Sequence, residues 1–236
     1  MLLSVQFDQF NLKDVTLLSS IFDSIKDTLS CGNPLRDEIV WVLHKDECPM
    51  CSRLGKKICA ISLHCPEDLS GLQYAYQFAH EFCHWMIGGS LSGERKGLFW
   101  LEETICELAS FHCLSVLRFQ WSSFAPHYPL EYVDIYIRDM LKVGSPAAPL
   151  PLQGYIDAHQ EELYTPFYHR DLYAQMALAL YPHFLMMPNL WRLLPYLGNM
   201  QQYLLLSDWL ADVAMRTPEN LHFLVRMIQD LFLEHH

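Results

Sequence analysis

The chain has 236 residues, of which 51% are hydrophobic and 13% aromatic, so it can bury a real core and is not disordered as a whole. Its formal charge is −11, from 27 acidic and 16 basic residues. No run of Lys and Arg forms a stripe, which disfavours nucleic-acid and anionic-membrane binding.

The first ten residues, MLLSVQFDQF, lack a basic stretch and meet Asp8 early, which argues against a signal peptide. With eight cysteines and no export signal, the expected setting is reduced thiols in a cytoplasm. Cys83, Cys106 and Cys113 lie in apolar helical stretches, where cysteine mostly serves as a small core residue.

In chain order, Val15, Leu18, Ile21, Phe22, Ile25 and Leu29 recur at helical spacing, predicting a helix over Asp14–Leu29. The sequence CGNP then breaks the chain. Glu38–His44 and Lys56–His64 read as two strands, joined by a long hairpin loop over Lys45–Gly55. Beyond Ser70 the pattern turns helical. Gly71–Ile87 reads as a helix stopped by Gly88 and Gly89, followed by a loop, and Leu98–Gln120 as a long second helix. Leu130–Val143 reads as a third, and Gly144–Gly154 as a boundary or crossing loop. Further helices are expected over Arg170–Tyr181, Met200–Met215 and Pro218–Phe232. The longest uncharged run, Leu172–Trp191, contains Pro182, His183 and Pro188, which fits a buried helix better than a membrane span.

The expected fold is α+β, with a small N-terminal antiparallel β part followed by a predominantly helical, zincin-like domain. The expected division is 1–69 for the β-containing subdomain, 70–143 for the active-site helices and 144–232 for a C-terminal helical subdomain. Residues 233–236, LEHH, resemble a tag remnant.

The segment QFAHEFCHWMIGG carries the chemistry. Residues i and i+4 of a helix stack on one face, so His80 and His84 can aim ring nitrogens at one metal ion. Glu81 sits about 100° round the helix, beside the metal, where it can take a proton from a water that zinc has acidified. It can then pass the proton to a leaving amine. A two-histidine site needs a third protein ligand and an open position. Glu103 supplies the ligand, provided that Gly88, Gly89, Gly93 and Gly97 let the second helix fold back. Glu107, one turn later, can accept a hydrogen bond from a ligand imidazole and fix its orientation. Two carboxylates on an otherwise apolar helix are costly unless they are paired or metal-bound. Glu102 is expected to face solvent. The alternative is a pair of histidines satisfied by hydrogen bonds in a core.

These residues resemble the gluzincin metallopeptidases, the group that includes thermolysin and aminopeptidase N. The pattern there is HExxH, about 18 residues, then a ligand Glu, and here it reads His80–His84, 18 residues, Glu103. WLEETICELAS resembles the aminopeptidase stretch WLNEGFASY, with Glu103 on the ligand and Glu107 on an acidic position of the thermolysin-like members. The resemblance covers Gln73–His112 and implies a single zinc ion, peptide or protein substrates, and an edge strand just before the active-site helix, here Ile58–His64. It also implies an oxyanion-stabilising Tyr or His from a later helix, for which Tyr168 is preferred over His169 and Tyr173. Tyr173 has core packing as its alternative. The Gly-x-Met-x-Asn segment that anchors an N-terminal amine in aminopeptidases is absent. The stretch before the histidines also resembles, more loosely, the ImmA/IrrE-type regulatory proteases.

Cys48 and Cys51 form a CPMC pair that is a candidate half-site for a structural metal, with two free thiols or a reversible disulfide as its alternative. A thioredoxin-like role is disfavoured because no βαβ pattern surrounds the pair. The expectation is a cytoplasmic zinc metallopeptidase with neither nucleic acid nor membrane as partner. The rival is a zinc-binding regulatory or partner-binding protein on a peptidase scaffold, with little or no turnover.

Overall fold

Four strands form one mixed sheet in the computed structural model: β1 (Leu2–Val5), β2 (Ile39–His44), β3 (Met50–Gly55) and β4 (Ile58–Leu63), in spatial order β1-β2-β4-β3. The described residues are 1–6, 10, 14–45, 48–65, 71–88, 96–142 and 146–233. Gly89 and Gly93 of the expected return loop, Val143 and Gly144 at the expected boundary, and residues 234–236 lie outside them.

The sheet corrects the expected antiparallel pair. β2 and β4 lie side by side but parallel, with Val40 opposite Cys59 and Val42 opposite Ile61. Both runs are nearly continuously apolar, as inner strands covered on both faces are, whereas hairpin strands alternate. β3, inside the expected loop, is the antiparallel neighbour of β4, and Cys51 stands opposite Ile61. Its polar, proline-preceded sequence suits an edge strand half in water and therefore reads as loop. β4 is thus paired on both sides, so the expectation that its edge is free for substrate is overturned.

β1 pairs parallel with β2, and the crossing element is α1 (Val15–Ser30). This is a βαβ unit, which the sequence reading missed; parallel neighbours require such a crossover. Asp14 caps α1 by accepting a hydrogen bond from the Leu17 amide at 2.9 Å. Cys31 closes it in the left-handed region. The CPMC pair leads into β3 rather than into a helix, so it lacks the thioredoxin arrangement even with a βαβ unit present.

The helical elements that follow are α2 (Leu72–Ile87), α3 (Phe99–Phe124), α4 (Leu130–Leu141), α5 (Gln153–Ala158), α6 (Gln160–Leu163), α7 (Arg170–Met186), α8 (Leu206–Arg216) and α9 (His222–Phe232), with 3₁₀ turns at Pro188–Tyr196 and Met200–Gln202. The architecture is α+β and helix-dominated. α7 continues through Pro182, which falls in its last turns and removes only one late hydrogen bond. The helix expected from Met200 begins at Leu206 instead, because Asn199 is left-handed and Tyr203 extended.

The chain divides into two units. The first, Met1–Trp85 with Ala109–Met140, holds the sheet. Its core packs Phe22 tilted against Phe78 at 4.5 Å between ring centroids and stacks Phe78 on Phe82 at 5.4 Å and Phe82 on Trp85 at 5.2 Å. Trp85 donates from Nε1 to the Glu38 carboxylate at 2.9 Å, and the Arg36 guanidinium lies over its ring. Ser110 donates to the Tyr76 carbonyl at 2.9 Å, tying the later half of α3 to α2. The second unit, Met86–Leu108 with Leu141–His236, is helical, with Trp191 packed on Phe184 at 4.8 Å.

Candidate metal centre

α2 places His80 and His84 on one face, their ring centroids 5.0 Å apart. One turn earlier, the Gln77 amide completes both backbone hydrogen bonds of His64, accepting from its N–H at 2.9 Å and donating to its carbonyl at 2.7 Å. The end of β4 is thereby fixed to the turn of α2 that leads into the motif. Glu81 is buried beside the histidines.

α3 starts where a glycine is required. Gly97 has φ +58°, and a Cβ there would lie 2.5 Å from the Tyr203 carbonyl oxygen and 2.7 Å from that of Gln201. Leu98 then donates its N–H to the Met200 carbonyl at 3.2 Å. From Trp100 to Cys113 every residue of α3 is buried, so this stretch of the helix has no solvent face. This corrects the placement of Glu102, which is 3% exposed rather than solvent-facing. Glu103 is buried as well, and Glu107 is 2% exposed.

The ligand atoms of His80, His84 and Cys106 all lie within 4.8 Å of one another. Cys106 stands three residues after Glu103, hence on nearly the same face of α3. As a helix cysteine among apolar neighbours it reads as a core residue, and its spacing from Glu103 is the signal that identifies it. Two imidazoles and a thiolate form a donor set that zinc accepts. Donor atoms around a tetrahedral zinc are about 3.3–3.8 Å apart, within reach of this group by small side-chain rotations. Three protein ligands also leave one position open, as catalytic sites do.

The carboxylates of Glu103 and Glu107 bear on Tyr168. Burial of the phenol, then these two carboxylates, push its pKa well above the ordinary value of 10, against the opposing charge of Arg170. The residue as a whole is 42% exposed, so the desolvated part is the hydroxyl end. Tyr168 is therefore a neutral hydrogen-bond donor at any ordinary pH. The Tyr173 ring meets Tyr168 edge-on at 5.3 Å, and its hydroxyl donates to the Phe167 carbonyl at 3.4 Å. Tyr173 is buried, consistent with packing that positions Tyr168. His169 Nε2 lies 2.9 Å from Thr165 Oγ1, within the turn that precedes α7. Arg170, unremarked in the sequence, reaches Glu107 with Nη2 at 3.5 Å from Oε1.

The CPMC pair is divided: Cys48 is exposed, and buried Cys51 lies 3.3 Å from the sulfur of Cys59. Neither Cys48 nor Cys51 belongs to the histidine–cysteine group. No described helix is long and apolar enough to cross a membrane.

Comparisons with protein-family models, with curated proteins and with solved structures find no match.

Proposed function

We propose that this protein is a cytoplasmic zinc metallopeptidase of gluzincin type, hydrolysing peptide bonds of a peptide or protein substrate. The observation that carries the reading is the convergence of His80, His84 and Cys106 within 4.8 Å, with buried Glu81 next to His80 in the chain. His80 and His84 would hold the ion together with a third ligand. Cys106 is the nearest donor for that place, and Glu103, one turn earlier, is its competitor. When bound, zinc supplies Lewis-acid polarisation of a carbonyl oxygen and acidifies water.

The chain's own residues do the rest. Glu81 accepts a proton from the attacking water and returns it to the departing amine nitrogen, which a buried carboxylate within reach does well. Tyr168, kept neutral by burial and by two carboxylates, donates a hydrogen bond to the oxygen on which negative charge develops. Arg170 balances the charge of Glu107 beneath it.

One observation favours a second reading, a zinc-binding regulatory or partner-binding protein with little turnover. Cysteine in the ligand group is usual in structural zinc sites, where it is not needed for catalysis. Glu81→Gln separates the two. Under the first reading the variant keeps stoichiometric zinc and loses cleavage of a peptide library by about 10²–10⁴-fold. Zinc-loaded wild type that cleaves nothing supports the second.

A further inference from the structure

We propose that Cys51 and Cys59 form an oxidant-responsive dithiol, in which hydrogen peroxide converts the two thiols into an intramolecular disulfide stapling β3 to β4. Their sulfurs lie 3.3 Å apart. Cys51 stands opposite Ile61 in the antiparallel ladder, and Cys59 is two residues from Ile61. Side chains two apart share a face, so the two thiols project on the same side of the sheet. A disulfide needs about 2.03–2.05 Å between sulfurs, a closure of about 1.3 Å. β3 pairs only with β4 among the described residues, so this edge strand can supply that movement more readily than an inner one.

The surroundings set the two thiols apart from the other buried cysteines. The hydrogen-bonding contact with Cys51, with the charges of Arg53 and Arg36, holds the Cys59 thiol below its ordinary pKa against its burial and the charge of Glu38. The same hydrogen bond, and burial, push Cys51 upward. Cys113 shows the contrast: burial alone, then Cys83, drive its pKa up with no cation to offset them. The reactive arrangement is a Cys59 thiolate accepting the Cys51 S–H.

The step balances. The Cys59 thiolate attacks one peroxide oxygen, the O–O bond breaks, and the departing hydroxide takes a proton to become water. The Cys51 sulfur then loses its proton and attacks the sulfur of the Cys59 sulfenic acid. The S–O bond breaks and a second water leaves. Two thiols lose two electrons in total, and the peroxide is reduced to two waters. Thiols of the cytoplasmic pool reverse the reaction by exchange.

The inference is independent of the metal centre and is tested on the full chain. Reduced protein is treated with graded hydrogen peroxide, blocked with iodoacetamide, digested with trypsin and mapped by fragmentation mass spectrometry. Arg53, Lys56 and Lys57 lie between the two cysteines, so their peptides separate unless they are joined. The expected product is a Cys51–Cys59 linked pair, two hydrogens lighter than its parts, which disappears with dithiothreitol. It persists in Cys48→Ser and is lost in Cys59→Ser, where Cys51 returns to the alkylated form. Two results overturn the proposal: Cys51 and Cys59 remaining alkylated at peroxide levels that oxidise other thiols, or Cys51 joining Cys48 within one peptide.

Discussion

Arg170, the first residue of α7, holds its Nη2 3.5 Å from Oε1 of Glu107, a carboxylate buried in the middle of α3. A buried carboxylate without compensation is expensive, so this contact bears on stability before it bears on chemistry. Arg170→Ala should destabilise the protein by about 1–3 kcal/mol, below the cost for a fully buried pair because the arginine is partly exposed. Adding Glu107→Gln to that variant should recover most of the loss, since position 107 then carries no buried charge. Urea titrations of the wild type, the single variant and the double variant check this. A double variant no more stable than the single would show that the two residues are not coupled.

Gly97 admits no side chain. Its φ of +58° is unfavourable for alanine, and an added Cβ meets two backbone oxygens that cannot rotate away. Gly97→Ala should therefore cost about 2–4 kcal/mol and lower the melting temperature. Because the residue fixes the start of α3, zinc uptake should fall with it. A variant melting with the wild type would mean that Gln201–Tyr203 yields easily.

His112, on α3, is buried, and that burial lowers its pKa from 6.5 to about 4. Its folded-state pKa lies below its unfolded value, so the unfolded chain binds the proton first as pH falls. The contribution is complete above pH 6.5, is lost progressively between 6.5 and about 4, and amounts to about 3 kcal/mol by linkage. The difference in unfolding free energy between wild type and His112→Gln, taken at pH 7 and at pH 4.5, isolates it from the carboxylates. An unchanged difference would mean that the imidazole takes up its proton as readily in the fold as in the unfolded chain.

α1, α2 and α3 are visible in the sequence because each is a long apolar run with one marked end: Asp14 as cap, Gly88 as stop, Gly97 as start. The histidine pair is equally visible, since i and i+4 always share a helix face. What escapes is whatever depends on partners distant in sequence. Nothing in Met50–Gly55 announces a strand, because its hydrogen-bond ladder is supplied by β4 and its exposed side is polar. Parallel pairing of β2 with β4 depends on β3, which follows β2 in the chain but adds to the far edge of β4. Cys106 looks like its apolar neighbours until the histidines are brought to it. Arg170 lies 63 positions from Glu107, and no local pattern links them.

The third ligand is where sequence and structure point to different atoms, and the two are spectroscopically distinct. The HExxH–Glu pattern nominates the carboxylate of Glu103, while the group that converges contains the sulfur of Cys106. Zinc–sulfur bonds are about 2.3 Å, against about 2.0–2.1 Å for nitrogen and 2.0–2.2 Å for oxygen. X-ray absorption of the zinc-loaded protein should show one sulfur scatterer at about 2.3 Å beside two imidazoles. Cys106→Ser should remove that shell and weaken zinc binding by roughly 10²-fold or more, since a ligand costs at least as much as the 10–100-fold of its supporting partners. Glu103→Gln should leave the sulfur shell in place, and its effect should fall on turnover through Tyr168, whose pKa that carboxylate helps to raise. A spectrum of nitrogen and oxygen alone, with zinc lost in Glu103→Gln and kept in Cys106→Ser, would give the place to the carboxylate and return Cys106 to the core.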